Sequence, residues 1–151
     1  MSSWLISLGY FGAFLGPLIG VFTFFLFPWP LIIFYLGYTH NPLLVAILGA
    51  TGATLGTSLY YLVGEGIYRV LPLRLKPYLE KGQVYLRKYG VLAVLFFAAL
   101  PLPDEIVWIP IGILRYNIRK AIVACWIGKL LFMLVISFAG YYGIKGILNL
   151  I

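Results

Sequence analysis

The first 64 residues of the chain contain no Asp, Glu, Lys or Arg, and His40 is the only titratable side chain there apart from tyrosines. Soluble domains carry about 25% charged residues, whereas this chain carries 10% and has a mean hydropathy of +1.03. A soluble fold cannot cover its surface with so long an uncharged segment. The sequence therefore predicts an integral membrane protein, all-α and polytopic, with a single membrane domain over residues 1–151.

The net charge is +7, and nine of the eleven Lys and Arg residues fall in two clusters. Nucleic-acid binding explains such clusters in soluble proteins, but in a membrane protein the positive-inside rule is the better account. We therefore expect a multi-pass protein of the cell (plasma) membrane with both clusters on the cytoplasmic side. The clusters are Arg69, Arg74, Lys76, Lys81, Arg87 and Lys88, and then Arg115, Arg119 and Lys120.

Two apolar segments are long enough to cross a membrane as helices. Roughly 20 residues at about 1.5 Å each span the hydrocarbon core, and residues 43–64 and 119–143 meet that length. We expect the first span to end at Gly64-Glu65-Gly66. Small residues at four-residue spacing let helix backbones approach closely in lipid. We therefore expect close helix packing at four glycines: Gly49, Gly52, Gly56 and Gly128.

Residues 67–90 form the one polar region of any length. Leucine, valine and tyrosine alternate there with lysine, arginine and glutamate. This pattern is typical of a basic amphipathic helix at the membrane surface, where each basic residue near anionic headgroups contributes about 1 kcal/mol. A solvated helix in a loop explains the same pattern equally well.

Two Pro-x-Pro sequences interrupt the apolar segments, and a helix running through either would lose backbone donors. Asp104 and Glu105 follow the second break at once, and ionisable groups inside a membrane indicate a functional site. The pieces around it, residues 91–102 and 106–114, measure about 18 and 14 Å as helix, too short for a core of about 30 Å. They form either a re-entrant hairpin, which the positive-inside rule favours, or one broken span. The breaks lie at Pro28 and Pro30, and at Pro101 and Pro103.

The two halves of the chain match as a repeat whose offset drifts only from 73 to 76 residues. Each half has a Pro-x-Pro, a glycine (Gly37, Gly112), an asparagine (Asn41, Asn117), a span and a second glycine (Gly52, Gly128). One span separates the two hairpins, so the repeat is inverted, a plan that recurs in secondary transporters. The boundaries are about 12–66 for repeat 1 (re-entrant hairpin 12–38, span 43–64), 67–90 for the interfacial linker, and about 91–144 for repeat 2 (re-entrant hairpin 91–114, span 119–143).

The chain also resembles a known family. The stretch after the first hairpin reads Gly52-x-x-x-Gly56-Thr57-x-x-Tyr60-Tyr61-x-x-Gly64, and the second hairpin contains Pro110-x-Gly112-x-x-Arg115. These patterns resemble those of DedA-type proteins, also called VTT-domain or SNARE-associated Golgi proteins. The resemblance implies two opposed re-entrant hairpins packed with spanning helices. It also implies lipid transport, by flipping of polyprenyl phosphate carriers or scrambling of phospholipids. The chain departs from the family pattern at Leu31, Ile32 and Thr57, where the family often has acids, and at Glu65, where it often has a base.

The candidate transport or ion-pair residues are Asp104, Glu105, Lys129 and Arg115. Lys129 lies about nine residues, or 13 Å, beyond Lys120 along the second span, and a lysine at that depth pairs or snorkels. We expect the two acids to be its partners.

The first functional hypothesis is a lipid transporter, flippase- or scramblase-like, that moves an anionic phospholipid or polyprenyl-phosphate headgroup through a groove between opposed hairpins. The alternatives are a proton- or cation-coupled transporter of small solutes and a non-transporting membrane assembly protein. We expect no enzyme activity, no cofactor and no metal site, because the chain has one histidine and one cysteine. The expected partners are membrane lipids with anionic headgroups and no nucleic acid, and association into a homo-oligomer is left open.

Overall fold

In a computed structural model of the chain, residues 3–23, 29–100 and 105–148 are described, with side chains for residues 8–23, 29–100 and 107–146. The described residues form six α-helices, which confirms the predicted all-helical class. The helices are α1 (Ser3–Gly20), α2 (Trp29–Thr39), α3 (Pro42–Val70), α4 (Lys76–Ala99), α5 (Glu105–Ile113) and α6 (Ile118–Leu148).

Among the described helices, α3 and α6 are long and apolar enough to cross a membrane. The α3 helix continues beyond Gly64–Gly66, the predicted end of the first span, as far as Val70. A glycine inside a helix costs up to about 1 kcal/mol, and tertiary packing overrides that cost here. Gly64 is buried against the carbonyl oxygen of Ile109, and Arg69 donates to Glu65 at 2.9 Å across the next turn.

The predicted interfacial helix over residues 67–90 is not a separate element. Residues 71–75 form a turn, and α4 then runs unbroken from Lys76 to Ala99, so the basic amphipathic stretch and the apolar stretch share one helix. Gly90, the last residue of the predicted linker, lies inside this helix and is buried beside the Tyr116 ring.

Each long helix begins after a capping asparagine. The Oδ1 atom of Asn41 accepts hydrogen bonds from the backbone N–H groups two and three residues on, at 3.0 and 3.4 Å. Asn117 does the same at 3.1 and 3.3 Å. Such a cap typically contributes about 1 kcal/mol because it pairs amides that lack helical partners.

The chain divides into two compact units, residues 1–56 with 129–151, and residues 57–128. The first unit holds α1 and α2 with the start of α3 and the end of α6. The second holds α4 and α5 with the end of α3 and the start of α6. Each unit thus combines one pair of shorter helices with part of each long helix.

In the first unit, α1 and α2 pack as an antiparallel pair. Gly9 near the start of α1 lies against the ring of His40, which follows α2, whereas Gly20 at the end of α1 lies against Trp29, the first residue of α2. Gly16, between them, leaves room for the side chain of Ile32. The two helices therefore run in opposite directions.

The glycines of α3 in the first unit let that helix lie directly on its neighbours. A Cβ atom at Gly52 would overlap the carbonyl oxygen of Phe14, and one at Gly56 would lie 2.8 Å from the carbonyl oxygen of Leu18. Gly49 makes room for side chains instead, with Ile33 Cδ1 3.0 Å from the Cβ position. Only glycine permits backbones to approach this closely.

The second unit uses the same kind of contact. A Cβ atom at Gly128 of α6 would lie 2.7 Å from the carbonyl oxygen of Leu95, and one at Gly112 of α5 would overlap the carbonyl oxygen of Tyr61. The unit's core contains the fully buried Trp108 and eight further buried residues: Tyr61, Val94, Ala98, Ile111, Tyr116, Ala121, Ala124 and Cys125.

Candidate functional site

Most of the predicted break and transport residues fall where the structure describes no side chain, so the predicted pairing of Lys129 with two acids stays a prediction. The positions concerned are Pro28, Pro101, Pro103 and Asp104, together with the side chain of Glu105, the first residue of α5.

Two of the predicted break and transport residues are described in the first unit. Lys129 lies in α6 and is only 4% exposed, in the kind of apolar helix where an ionisable group indicates function. Pro30 is the second residue of α2, in the first turn, where proline is tolerated because the N–H it lacks would have no helical partner.

A cavity of about 790 Å³ lies in the second unit, where the end of α3, the first half of α4 and the α5–α6 connection come together. We call it the basic cavity. Its wall carries three basic side chains, one acid, three tyrosines and two amides. The lining residues are Tyr61, Glu65, Tyr68, Gln83, Leu86, Arg87, Leu114, Arg115, Tyr116, Asn117 and Lys120.

Arg115, in the α5–α6 connection, adopts the left-handed backbone conformation with a φ of 51°. No other described non-glycine residue has a positive φ. Its N–H donates to the carbonyl of Gly112 at 3.0 Å, and the N–H of Tyr116 donates to that of Ile111 at 3.0 Å. This pattern ends many helices, usually with glycine at the left-handed position. A non-glycine residue there costs about 1 kcal/mol. Such an outlier on a cavity wall points to a role for the side chain.

The charges on the wall favour an anion. Arg87, Arg115 and Lys120 line the cavity with one acid, Glu65. The Glu65 carboxylate accepts a hydrogen bond from Arg69 at 2.9 Å, so its charge is already compensated. Arginine and lysine are the side chains that bind phosphate and carboxylate groups.

Aromatic contacts hold part of this charge in place. The Arg115 guanidinium lies 5.5 Å from the centre of the Tyr68 ring, and the Lys76 Nζ lies 4.9 Å from the same ring. Cation–π contacts of this kind contribute about 0.5–1 kcal/mol at exposed sites. They place a cation at the cavity wall without neutralising it.

The buried hydroxyl of Tyr61 donates a hydrogen bond to the carbonyl of Tyr116 at 3.0 Å and thereby ties α3 to the α5–α6 connection. The amides of Arg119 and Lys120 at the start of α6 donate to Asn117. The groups left to bind an anion in the basic cavity are therefore chiefly its side chains.

Only part of this site can be recognised in the sequence. Arg115 is a candidate transport residue there, whereas Arg87 and Lys120 indicate only membrane topology and Tyr61 belongs only to a family pattern. Arg87 and Lys120 are 33 residues apart, so no local spacing predicts that they share a wall. Among the described residues, no group of three or more His, Cys, Asp or Glu is placed to hold a metal ion.

Paired shorter helices, two helices long and apolar enough to cross a membrane, and a basic cavity together are the features of a helical membrane protein. The family model of the VTT domain matches residues 27–142. The chain therefore belongs to the VTT-domain family, the domain of the DedA and SNARE-associated Golgi proteins, which are membrane proteins. Comparison with the curated proteins and with the solved structures finds no match.

Proposed function

We propose that the protein is a lipid transporter, flippase- or scramblase-like, that moves an anionic phospholipid or polyprenyl-phosphate headgroup across the cell membrane. The observation that carries the proposal is the basic cavity, in which three cations face one compensated acid at the ends of apolar helices. A phosphate group fits that wall, while the apolar helix faces leave the lipid tails in the bilayer.

We also propose that the two helix pairs are re-entrant hairpins of an inverted repeat. The fold-back of α1 on α2 and the packing of α4 on α5 support hairpins over broken spans. Equivalent positions make equivalent contacts in the two units, at offsets of 75 or 76 residues. These pairs are Asn41 and Asn117 as caps, Gly37 and Gly112 against the backbone of a long helix, and Gly64 and Gly140 against a carbonyl of the second short helix.

Transport is tested in liposomes of phosphatidylcholine containing the purified protein and a fluorescent phosphatidylglycerol, with dithionite used to bleach the outer leaflet. Transport exposes all of the label, whereas liposomes without transport keep the inner half. A second set of liposomes carries a polyprenyl phosphate, detected by its accessibility to a soluble phosphatase. Wild-type protein that moves neither lipid would overturn the proposal.

The site is tested by removing charge. The triple variant Arg87→Ala, Arg115→Ala, Lys120→Ala is expected to slow transport at least about tenfold, because a hydrogen bond to a charged group contributes about 1.5–3 kcal/mol. The matched control is Arg74→Ala, Lys81→Ala, Lys88→Ala, which removes equal charge from residues that do not line the cavity. Equal loss in both variants would show that only the overall charge matters.

The buried Lys129 favours a second candidate function, a proton- or cation-coupled transporter of small solutes. A buried ionisable group in an apolar helix is a common element of proton and ion pathways. This function predicts that Lys129→Gln abolishes uptake driven by a pH gradient in intact cells and leaves lipid movement in liposomes unchanged. Loss of lipid movement in the same variant would assign Lys129 to the lipid pathway instead.

A further inference from the structure

A second concave surface lies in the same unit, between α4 and the start of α6. It is a shallow depression of about 380 Å³ and is walled on the α4 side by Val91 and Leu95. The α6 side is walled by Val123, Ala124 and Ile127. We call it the α4–α6 groove.

The groove exists because a small residue lies between larger ones. Ala124 is buried and forms the floor, whereas Val123 beside it and Ile127 one turn on are exposed, at 58% and 41%. These apolar side chains border a shallow groove that a flexible hydrocarbon chain can follow.

Two basic residues stand at one end of the groove. Arg119 and Lys120 complete its lining with the apolar stems of their side chains, and Lys120 also lines the basic cavity. From Lys120 to Ile127 the groove runs about 10 Å along α6. A groove with an apolar body and basic residues at one end, joined through Lys120 to a polar cavity, is complementary in shape and charge to a phosphate ester and its hydrocarbon chain.

We propose that the α4–α6 groove binds one acyl chain of an anionic phospholipid whose phosphate is held at Lys120, so that the groove guides the lipid from the bilayer into the basic cavity. The proposal rests on the proposed lipid transport and names the chain-binding part of that same site. Its occupant is a phospholipid because charge complementarity at Arg119 and Lys120 requires an anion attached to the apolar chain.

The test uses full-length protein in lipid nanodiscs with a phosphatidylglycerol that carries a photoactivatable diazirine midway along one acyl chain. After irradiation, mass spectrometry locates the labelled residues. We expect label on the groove residues, Val91, Leu95, Val123 and Ile127.

The groove is then filled by Val123→Trp. Labelling of α4 is expected to fall about tenfold, the size of effect that a changed apolar pocket produces. The matched control is Val135→Trp on the same helix, at a position that is 70% exposed and does not line the groove. Its labelling is expected to equal that of wild type.

The outcomes separate the two proposals. Equal labelling of α4 in the two tryptophan variants, or cross-links from these residues to a second copy of the chain, would overturn the groove assignment and leave lipid transport standing. Groove labelling that Val123→Trp removes, in a protein that moves no lipid in liposomes, would instead reject transport and keep the groove as a lipid-binding site.

Discussion

At the residue scale, Arg115 combines an unfavourable backbone conformation with a side chain placed at the candidate site. Its φ of 51° belongs to a conformation that glycine adopts freely. The side chain nevertheless lines the basic cavity and lies over Tyr68. An arginine held at this cost is expected where function depends on its charge.

Arg115→Gly and Arg115→Ala separate these two effects. Both remove the guanidinium, but only glycine relieves the left-handed backbone, so the glycine variant is expected to be more stable than the alanine variant by about 1 kcal/mol. Both are expected to slow transport of anionic lipid to a similar extent. Denaturant unfolding in detergent and the liposome assay measure the two properties, and a glycine variant that transports like wild type would contradict a role for the side chain.

Tyr61 holds the cavity wall through one hydrogen bond to the carbonyl of Tyr116. Tyr61→Phe removes the hydroxyl donor and leaves the buried carbonyl of Tyr116 without this hydrogen bond. The free energy of unfolding is expected to fall by about 1–3 kcal/mol. Tyr85→Phe on the exposed face of α4 serves as the control and is expected to leave stability unchanged. Thermal unfolding in detergent compares the two, and equal stabilities would show that the bond contributes nothing.

At the element scale, the glycines of α3 differ in what surrounds them. A Cβ atom at Gly64 would overlap the backbone of α5, whereas a Cβ atom at Gly66, two residues on, meets nothing within 4 Å. The two glycines look alike in the sequence, but only Gly64 is needed for close packing between helices.

Gly64→Ala is expected to destabilise the protein by about 1–3 kcal/mol, because the added methyl group must separate α3 from α5. Gly66→Ala is expected to be neutral or stabilising by up to about 1 kcal/mol, because alanine favours helix more than glycine does. Thermal melting of both variants in one detergent is the measurement. A Gly66 variant that loses as much stability as the Gly64 variant would contradict the assigned packing.

At the scale of the whole molecule, the proposed re-entrant pair α4–α5 fixes which connections share a side of the membrane. Single cysteines are introduced at the exposed Leu73 before α4 and Arg119 after α5, in a protein whose own buried Cys125 is replaced by serine. A re-entrant pair predicts that a membrane-impermeant maleimide labels both from the cytoplasmic side. Asn41→Cys, at the other end of α3, is expected to react from outside, and reaction of Leu73 and Arg119 from opposite sides would indicate a broken span.

The sequence by itself determined the class of this protein and much of its plan. Absence of charge over 64 residues requires lipid as the solvent, and apolar length marked α3 and α6 as the long helices. These features can be read locally because hydropathy and helix capping depend on neighbouring residues. For the same reason the sequence located Asn41 and Asn117 at the starts of the long helices.

Only the tertiary structure decided where helices end and which residues share a cavity. Gly64 packs on α5 inside a helix that continues to Val70, and Gly90 is buried beside Tyr116 inside the unbroken α4. Arg87 and Lys120 line one wall because folding brings distant segments together. Their proximity depends on backbone contacts between helices, and the local periodicity of the sequence does not predict such contacts.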